Sequence, residues 1–129
     1  MELKTKLYLV DEDGEKFMGI GVLWLLKKVA EEKSLRKGAA KLGISYSKAF
    51  LMVRALEKEL GVPVLDRKKG GAEHSGATLT SFGEEFIRLY DTFQTEAKKV
   101  VEEPYKRFSD GLAELLERTE TKEDANGAD

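Results

Sequence analysis

Cysteine is absent from the 129 residues, which removes disulfide frameworks, thiolate metal sites and cysteine nucleophiles together. Histidine occurs once, as His74, so a histidine-rich metal centre has no material and a Ser-His-Asp triad has a single candidate. Proline occurs twice, at Pro63 and Pro104. No apolar run approaches the ~18 residues of a membrane span, and no basic-then-apolar leader opens the chain. The expectation is a soluble, cytoplasmic protein. No paired acid-base or metal-ligating constellation can be placed, so no catalytic residue, metal site or cofactor is expected. The length suffices for one real core without staples.

What is present is unevenly spread charge. The net charge of -2 divides into -2 over residues 1–26, +7 over 27–69 and -7 over 70–129. A basic block inside an acidic chain fits a local surface for a polyanion, while a merely solvated charged face is the plainer reading of the same residues.

The chain opens with a hairpin pattern. Lys4 to Val10 is rich in Leu, Tyr and Val, Asp11-Glu12-Asp13-Gly14 is a turn, and Glu15 to Met18 returns. Gly19 and Gly21 then precede an apolar helix from Val22 to about Glu32. They lack the Lys-Ser/Thr ending of a phosphate loop.

Ser34 to Leu60 carries the most information. Ser34 suits the N-cap of a short helix over Leu35–Leu42, and Gly43 suits its C-cap. After Ile44, Ser45 can cap a second helix that runs to Leu60 and stops at Gly61, with Pro63 just beyond. Two helices joined by about three residues, glycine first, have the layout of a helix-turn-helix. At about 100° per residue, Ala49, Val53, Leu56 and Leu60 share one narrow apolar stripe of the second helix. Ser47, Leu51, Arg54 and Lys58 lie opposite, on a face that is polar and basic apart from Leu51.

Two short β-type runs follow, Val62 to Lys69 and Thr78 to Thr80, on either side of a glycine-rich tip holding His74. They read as a wing, with Arg67, Lys68 and Lys69 at its base, able to meet phosphates. His74 reads as an exposed loop residue.

From Ser81 helical spacing returns. Thr80 or Ser81 can cap, with Glu84 and Glu85 in the first turn. Phe82, Phe86, Leu89, Phe93, Ala97 and Val100 step by four and three. Pro104 predicts a kink or a fresh helix, after which Tyr105, Phe108, Leu112 and Leu115 resume the spacing. Two successive seams exceed what a domain this small can cover and point to a partner helix. From Glu117 the polar, acidic composition predicts a disordered tail, residues 117–129.

The residues resemble a known family. Ser34-Leu35-Arg36-Lys37-Gly38-Ala39-Ala40-Lys41-Leu42-Gly43-Ile44-Ser45 looks like the helix-turn-helix of LysR-type regulators, as do Arg54 to Pro63 and Leu79-Thr80 to Gly83. The leading hairpin ending Gly19-Ile20-Gly21, the Ser45-Tyr46-Ser47-Lys48-Ala49-Phe50 run and the Gly-Gly wing before Ala77 resemble the DNA-binding domain of ModE-type, molybdate-responsive regulators. The resemblance covers roughly Leu3 to Tyr90. Three departures stand out. Gly38 replaces the usual alanine, implying a softer first helix; Val22 replaces an arginine that would meet the DNA backbone; Phe50 replaces the usual tryptophan. Nothing like the molybdate-binding domains follows within these residues, so no molybdate site is expected.

The resemblance implies a winged helix-turn-helix regulator of transcription, mainly α with small β-hairpins, that pairs through flanking helices. The expected organisation is a DNA-binding domain over residues 1–90, a helical dimerisation segment over 81–116 and the tail. Double-stranded DNA is the expected partner, bound as a homodimer with the Tyr46–Leu60 helix in the major groove. Ser47, Lys48, Leu51 and Arg54 are the candidates at or near the bases, and Ser45 and Tyr46 belong to the expected DNA-binding set. Lys58, Arg36 and Lys37 would anchor phosphates, and Arg67, Lys68 and Lys69 would grip the flanking backbone. Phe86, Leu89, Phe93, Val100, Phe108, Leu112 and Leu115 are the candidate dimer contacts. The alternative is a winged-helix adaptor that offers the same basic face to an acidic protein.

Overall fold

The computed structural model describes residues 1–67 and 76–127, with side chains to residue 121. Residues 6–94 form one compact unit, and residues 1–5 with 95–129 form a second. Tyr90 and Gln94 are both buried in the first unit.

Strands β1 (Tyr8–Val10) and β2 (Lys16–Gly19) form an antiparallel hairpin, joined through Asp11 to Gly14. The Asp11 carboxylate closes the turn by accepting from the N–H groups of Asp13 and Glu15, both at 2.9 Å. Helix α1 (Ile20–Glu32) follows directly. Its Leu23, Leu25, Leu26 and Val29 are nearly or fully excluded from solvent, and Val22 is buried with them.

The short helix α2 (Leu35–Lys41) and the longer α3 (Tyr46–Leu60) lie where the capping residues predict. The Ser34 hydroxyl accepts from Lys37 N–H and the Ser45 hydroxyl from Lys48 N–H, each at 3.1 Å. Each bond satisfies one of the donors that a helix leaves unpaired in its first turn. Gly43 and Gly61, with φ of 71° and 70°, end the two helices in the left-handed region. Ala49, Val53 and Leu56 of α3 are fully buried against α1 and α2, and Leu60 packs half-buried beside them.

Gly38 of α2 faces the core. Gly38 is buried, and a Cβ there would stand 3.0 Å from Val29 Cγ2 and 3.1 Å from Val29 N. Gly38 lets α2 lie close to the backbone of α1, where an added methyl would force its neighbours to give by a few tenths of an ångström.

The wing is formed by β3 (Leu65–Arg67) and β4 (Ala77–Leu79), antiparallel, with Leu65 opposite Leu79 and Arg67 opposite Ala77. Lys68, Lys69 and His74 lie outside the described residues. Helix α4 (Ser81–Val100) is capped by Thr80, whose hydroxyl accepts from Gly83 N–H and donates to the Pro63 carbonyl, both at 2.9 Å. The core-facing side of α4 is Gly83, Phe86, Ile87, Tyr90 and Gln94. Phe86, read as a dimer contact, therefore packs half-buried against the domain's own core.

Tyr90 is only 5% exposed and its hydroxyl donates to the Leu7 carbonyl at 3.2 Å. Burial raises the phenol's pKa above its ordinary value near 10, because the phenolate loses hydration there. The stabilisation is complete below the unfolded phenol's pKa and disappears as pH climbs through the raised folded value. As pH rises past the ordinary phenol value of about 10, thermal stability of the native protein should fall more steeply than that of Tyr90→Phe. Parallel melting curves of the two proteins would discount this if their pH dependence were the same.

In the second unit, α5 (Glu102–Gly127) is a separate helix, the fresh start that Pro104 allowed. Pro104 sits in its first turn, where its missing N–H is no loss. The tail expected to be disordered from Glu117 instead continues α5 to Gly127. Glu, Arg and Lys are good helix formers, and no glycine or proline interrupts the segment before residue 127. No helix among the described residues is long and apolar enough to cross a membrane.

Candidate nucleic-acid interface

Helix α3 is divided lengthwise. Its inner side supplies three fully buried core residues, while Ser47, Lys48, Leu51, Arg54 and Lys58 are all exposed. Leu51 is 62% exposed. Lys48, Arg54 and Lys58 form no ion pair among the described residues, so their charge is uncompensated there. The fold brings together the outer α3 residues expected from the sequence.

Two other candidates are less free than the sequence suggests. The Arg36 guanidinium lies 4.4 Å from the centre of the Tyr46 ring, and Tyr46 packs half-buried against the core. Tyr46 is thus a platform under Arg36 and holds that cation beside the start of α3. Arg67 lies 4.9 Å from the Phe50 ring centre, with its guanidinium 3.9 Å from a Glu57 carboxylate oxygen. Lys37 is exposed at the N-terminal end of α2.

Glu57 is not among the candidates the sequence offers, yet it joins α3 to the wing. Its Oε2 accepts from Val64 N–H at 2.8 Å and Leu65 N–H at 3.3 Å, while Oε1 faces Arg67. The other strand is held by the opposite side of the fold, because the Ala77 N–H donates to the Lys33 carbonyl at 3.1 Å and Ser34 pairs with Gly76. The wing is therefore anchored to α3 through β3 and to the α1–α2 turn through β4. The available signal is slight, since Glu57 is one of two acids, with Glu59, near the C-terminal end of α3.

Glu57→Ala should leave two N–H donors at the buried residues Val64 and Leu65 without their acceptor, at a cost of about 1–3 kcal/mol. Glu57→Gln keeps one acceptor and should lose clearly less. Urea midpoints for both variants measure the difference, and equal losses would show that the acceptor role is unimportant. The Arg67 pair itself contributes little, since both side chains are partly exposed.

The arrangement of two capped helices, a short tight turn and a wing defines a winged helix-turn-helix, mostly helical, with two small antiparallel hairpins and long C-terminal helices. Residues 21–84 match the family model of bacterial regulatory helix-turn-helix proteins of the lysR type. More particularly, the chain carries a ModE-like winged-helix DNA-binding domain. It is 35% identical over 75 residues to the transcriptional regulator ModE of Yersinia pestis, covering 58% of this chain and 28% of that protein. It is 29% identical over 111 residues to the molybdenum-pterin-binding protein MopB of Rhodobacter capsulatus, covering 86% of this chain and 41% of MopB. The chain thus spans less than half the length of either relative. The DNA-binding domain of CbnR, solved in complex with DNA, superposes with a TM-score of 0.53 at 28% identity, over 64% of this chain and 90% of that domain.

Proposed function

We propose that the chain is a transcription regulator that reads double-stranded DNA with α3 in the major groove, working as a homodimer. The carrying observation is the division of α3. A buried stripe of Ala49, Val53 and Leu56 stands opposite an exposed row whose three cations have no ion pair among the described residues. Ser47, Lys48, Leu51 and Arg54 are the residues at or near the base edges. Ser45 and Tyr46 lie at the start of the same helix, and Lys58, Arg36 and Lys37 contact phosphates. Arg67, Lys68 and Lys69 bind the flanking backbone from the wing.

A single winged helix reads few base pairs, so a second half-site about one helical turn away is needed for useful specificity. Exposed apolar side chains support pairing: Leu89, Phe93 and Val100 on α4, Phe108 and Leu115 on α5, with Leu112 half-buried between the last two. Sequencing of fragments bound from a fragmented bacterial genome should return one palindromic motif. Affinity for that motif should fall with salt at a log–log slope near -0.9 per phosphate neutralised. Lys68→Ala with Lys69→Ala should flatten the slope by about one unit per lost contact in each protomer. No enriched motif together with a flat salt response would overturn the reading and return the winged-helix adaptor.

A further inference from the structure

Beside the outward face of α3 lies an open cleft of about 620 Å³, bounded by β2, the start of α1, the α2–α3 turn and the flank of α3. Its walls are apolar: Phe17, Val22, Trp24, Leu42, Ile44 and Met52. Gly21 and Ala55 leave room, since even a Cβ at Gly21 would meet nothing nearer than the Met52 methyl at 4.0 Å. Trp24, the single tryptophan of the chain, is 54% exposed on this wall although its neighbours Leu23 and Leu25 on the same helix are buried. A large indole surface left open on a core helix lacks a packing explanation within the domain.

The charge of the cleft is one-sided. The charged residues lining it are Lys16, Lys41 and Lys48, with no acid among the lining residues. The Lys16 ammonium stands over the Tyr8 ring at 5.5 Å, whereas Lys41 and Lys48 have no ion pair among the described residues. An apolar concavity of this volume with a few polar groups of one sign is the usual form of a small-ligand site. A nucleic-acid backbone would use the lysines and leave the apolar wall wet. A neutral apolar molecule would use the wall and leave the lysines unmatched.

We propose that this cleft binds an amphipathic organic anion, a small apolar carboxylate whose hydrocarbon part packs on Trp24, Phe17 and Met52 and whose charge meets Lys41 and Lys48. Of the lining residues, Lys48 alone also belongs to the proposed DNA-reading face. The test uses the full chain without DNA.

Anilinonaphthalene sulfonate serves as the probe, excited by energy transfer from Trp24, and is displaced in turn by octanoate, octan-1-ol and octylammonium at one ionic strength. The expected result is saturable transfer from Trp24, with octanoate displacing the probe at least tenfold more tightly than either the alcohol or the amine. Lys41→Gln should reduce that preference severalfold. Ala55→Phe, at an exposed α3 position that need not disturb the core, should fill the cleft and abolish the transfer while leaving the circular dichroism unchanged. Absence of saturable transfer, equal displacement by all three compounds, or undiminished probe binding in a folded Ala55→Phe would each overturn the proposal.

Discussion

Replacing Gly83 by alanine should lower the stability of the DNA-binding unit more than any other methyl-sized change in it. A Cβ at this position collides with the carbonyl oxygen of Val64 and crowds Val64 C and Cα at 3.1 and 3.2 Å. The obstacle is backbone, so no rotamer change relieves it. That backbone is also held in place: Val64 N–H donates to Glu57, and the Val64 carbonyl accepts from Thr80 N–H at 3.0 Å. Either α4 moves off the wing or the wing breaks these bonds. Overpacking of this kind costs about 1–3 kcal/mol, with the upper end fitting a rigid neighbour. For a domain of this size, that corresponds to a melting midpoint lowered by roughly 10–20 °C.

Two further glycines turn this into a graded series. Gly38→Ala meets a valine methyl and backbone at 3.0–3.3 Å, so it should cost less than Gly83→Ala. Gly111 lies within α5 with nothing within 4 Å of an added methyl, and alanine there should stabilise the helix by up to about 1 kcal/mol. Thermal denaturation followed by circular dichroism tests the order. A Gly83→Ala protein that melts with the native one would show that the α4–wing approach yields easily.

Arg54→Ala should weaken binding to the selected DNA motif by about 1–3 kcal/mol, or roughly 5- to 150-fold, if the guanidinium reads a base edge. Arg54 is exposed at mid-helix, with the fully buried Val53 as its neighbour in sequence. Its loss should therefore leave the fold intact, which makes the affinity interpretable. Random-sequence DNA should be affected much less. Lys58→Ala, near the C-terminal end of the same face, should instead weaken selected and random duplexes alike and reduce the salt slope by about one per protomer. Fluorescence anisotropy on both duplexes separates the two behaviours. Unchanged affinity in both variants would place the DNA contact on another face.

Local structure was legible from short stretches of residues. Ser34, Ser45, Gly43 and Gly61 bracket α2 and α3 because capping is decided within a few residues. The spacing of Ala49, Val53 and Leu56 assigns the two sides of α3 because helical periodicity follows from backbone geometry. The Asp11–Gly14 turn and the entry into α4 at Thr80 were readable for the same reason. Only the tertiary structure decided which partners distant residues meet. The seam over Phe82 to Val100 combines surfaces that face different ways: Phe86 turns to the core, with Gly83, Ile87 and Tyr90, while Leu89 and Phe93 stay exposed. Gly38 and Gly83 look like weak points of their helices until the neighbouring backbones of Val29 and Val64 are in place. Glu57 looks like one more surface acid until the chain returns after Pro63 and presents two N–H groups to it. Caps and stripes depend on neighbours along the chain; close approaches and cross-element acceptors depend on residues that only folding brings together.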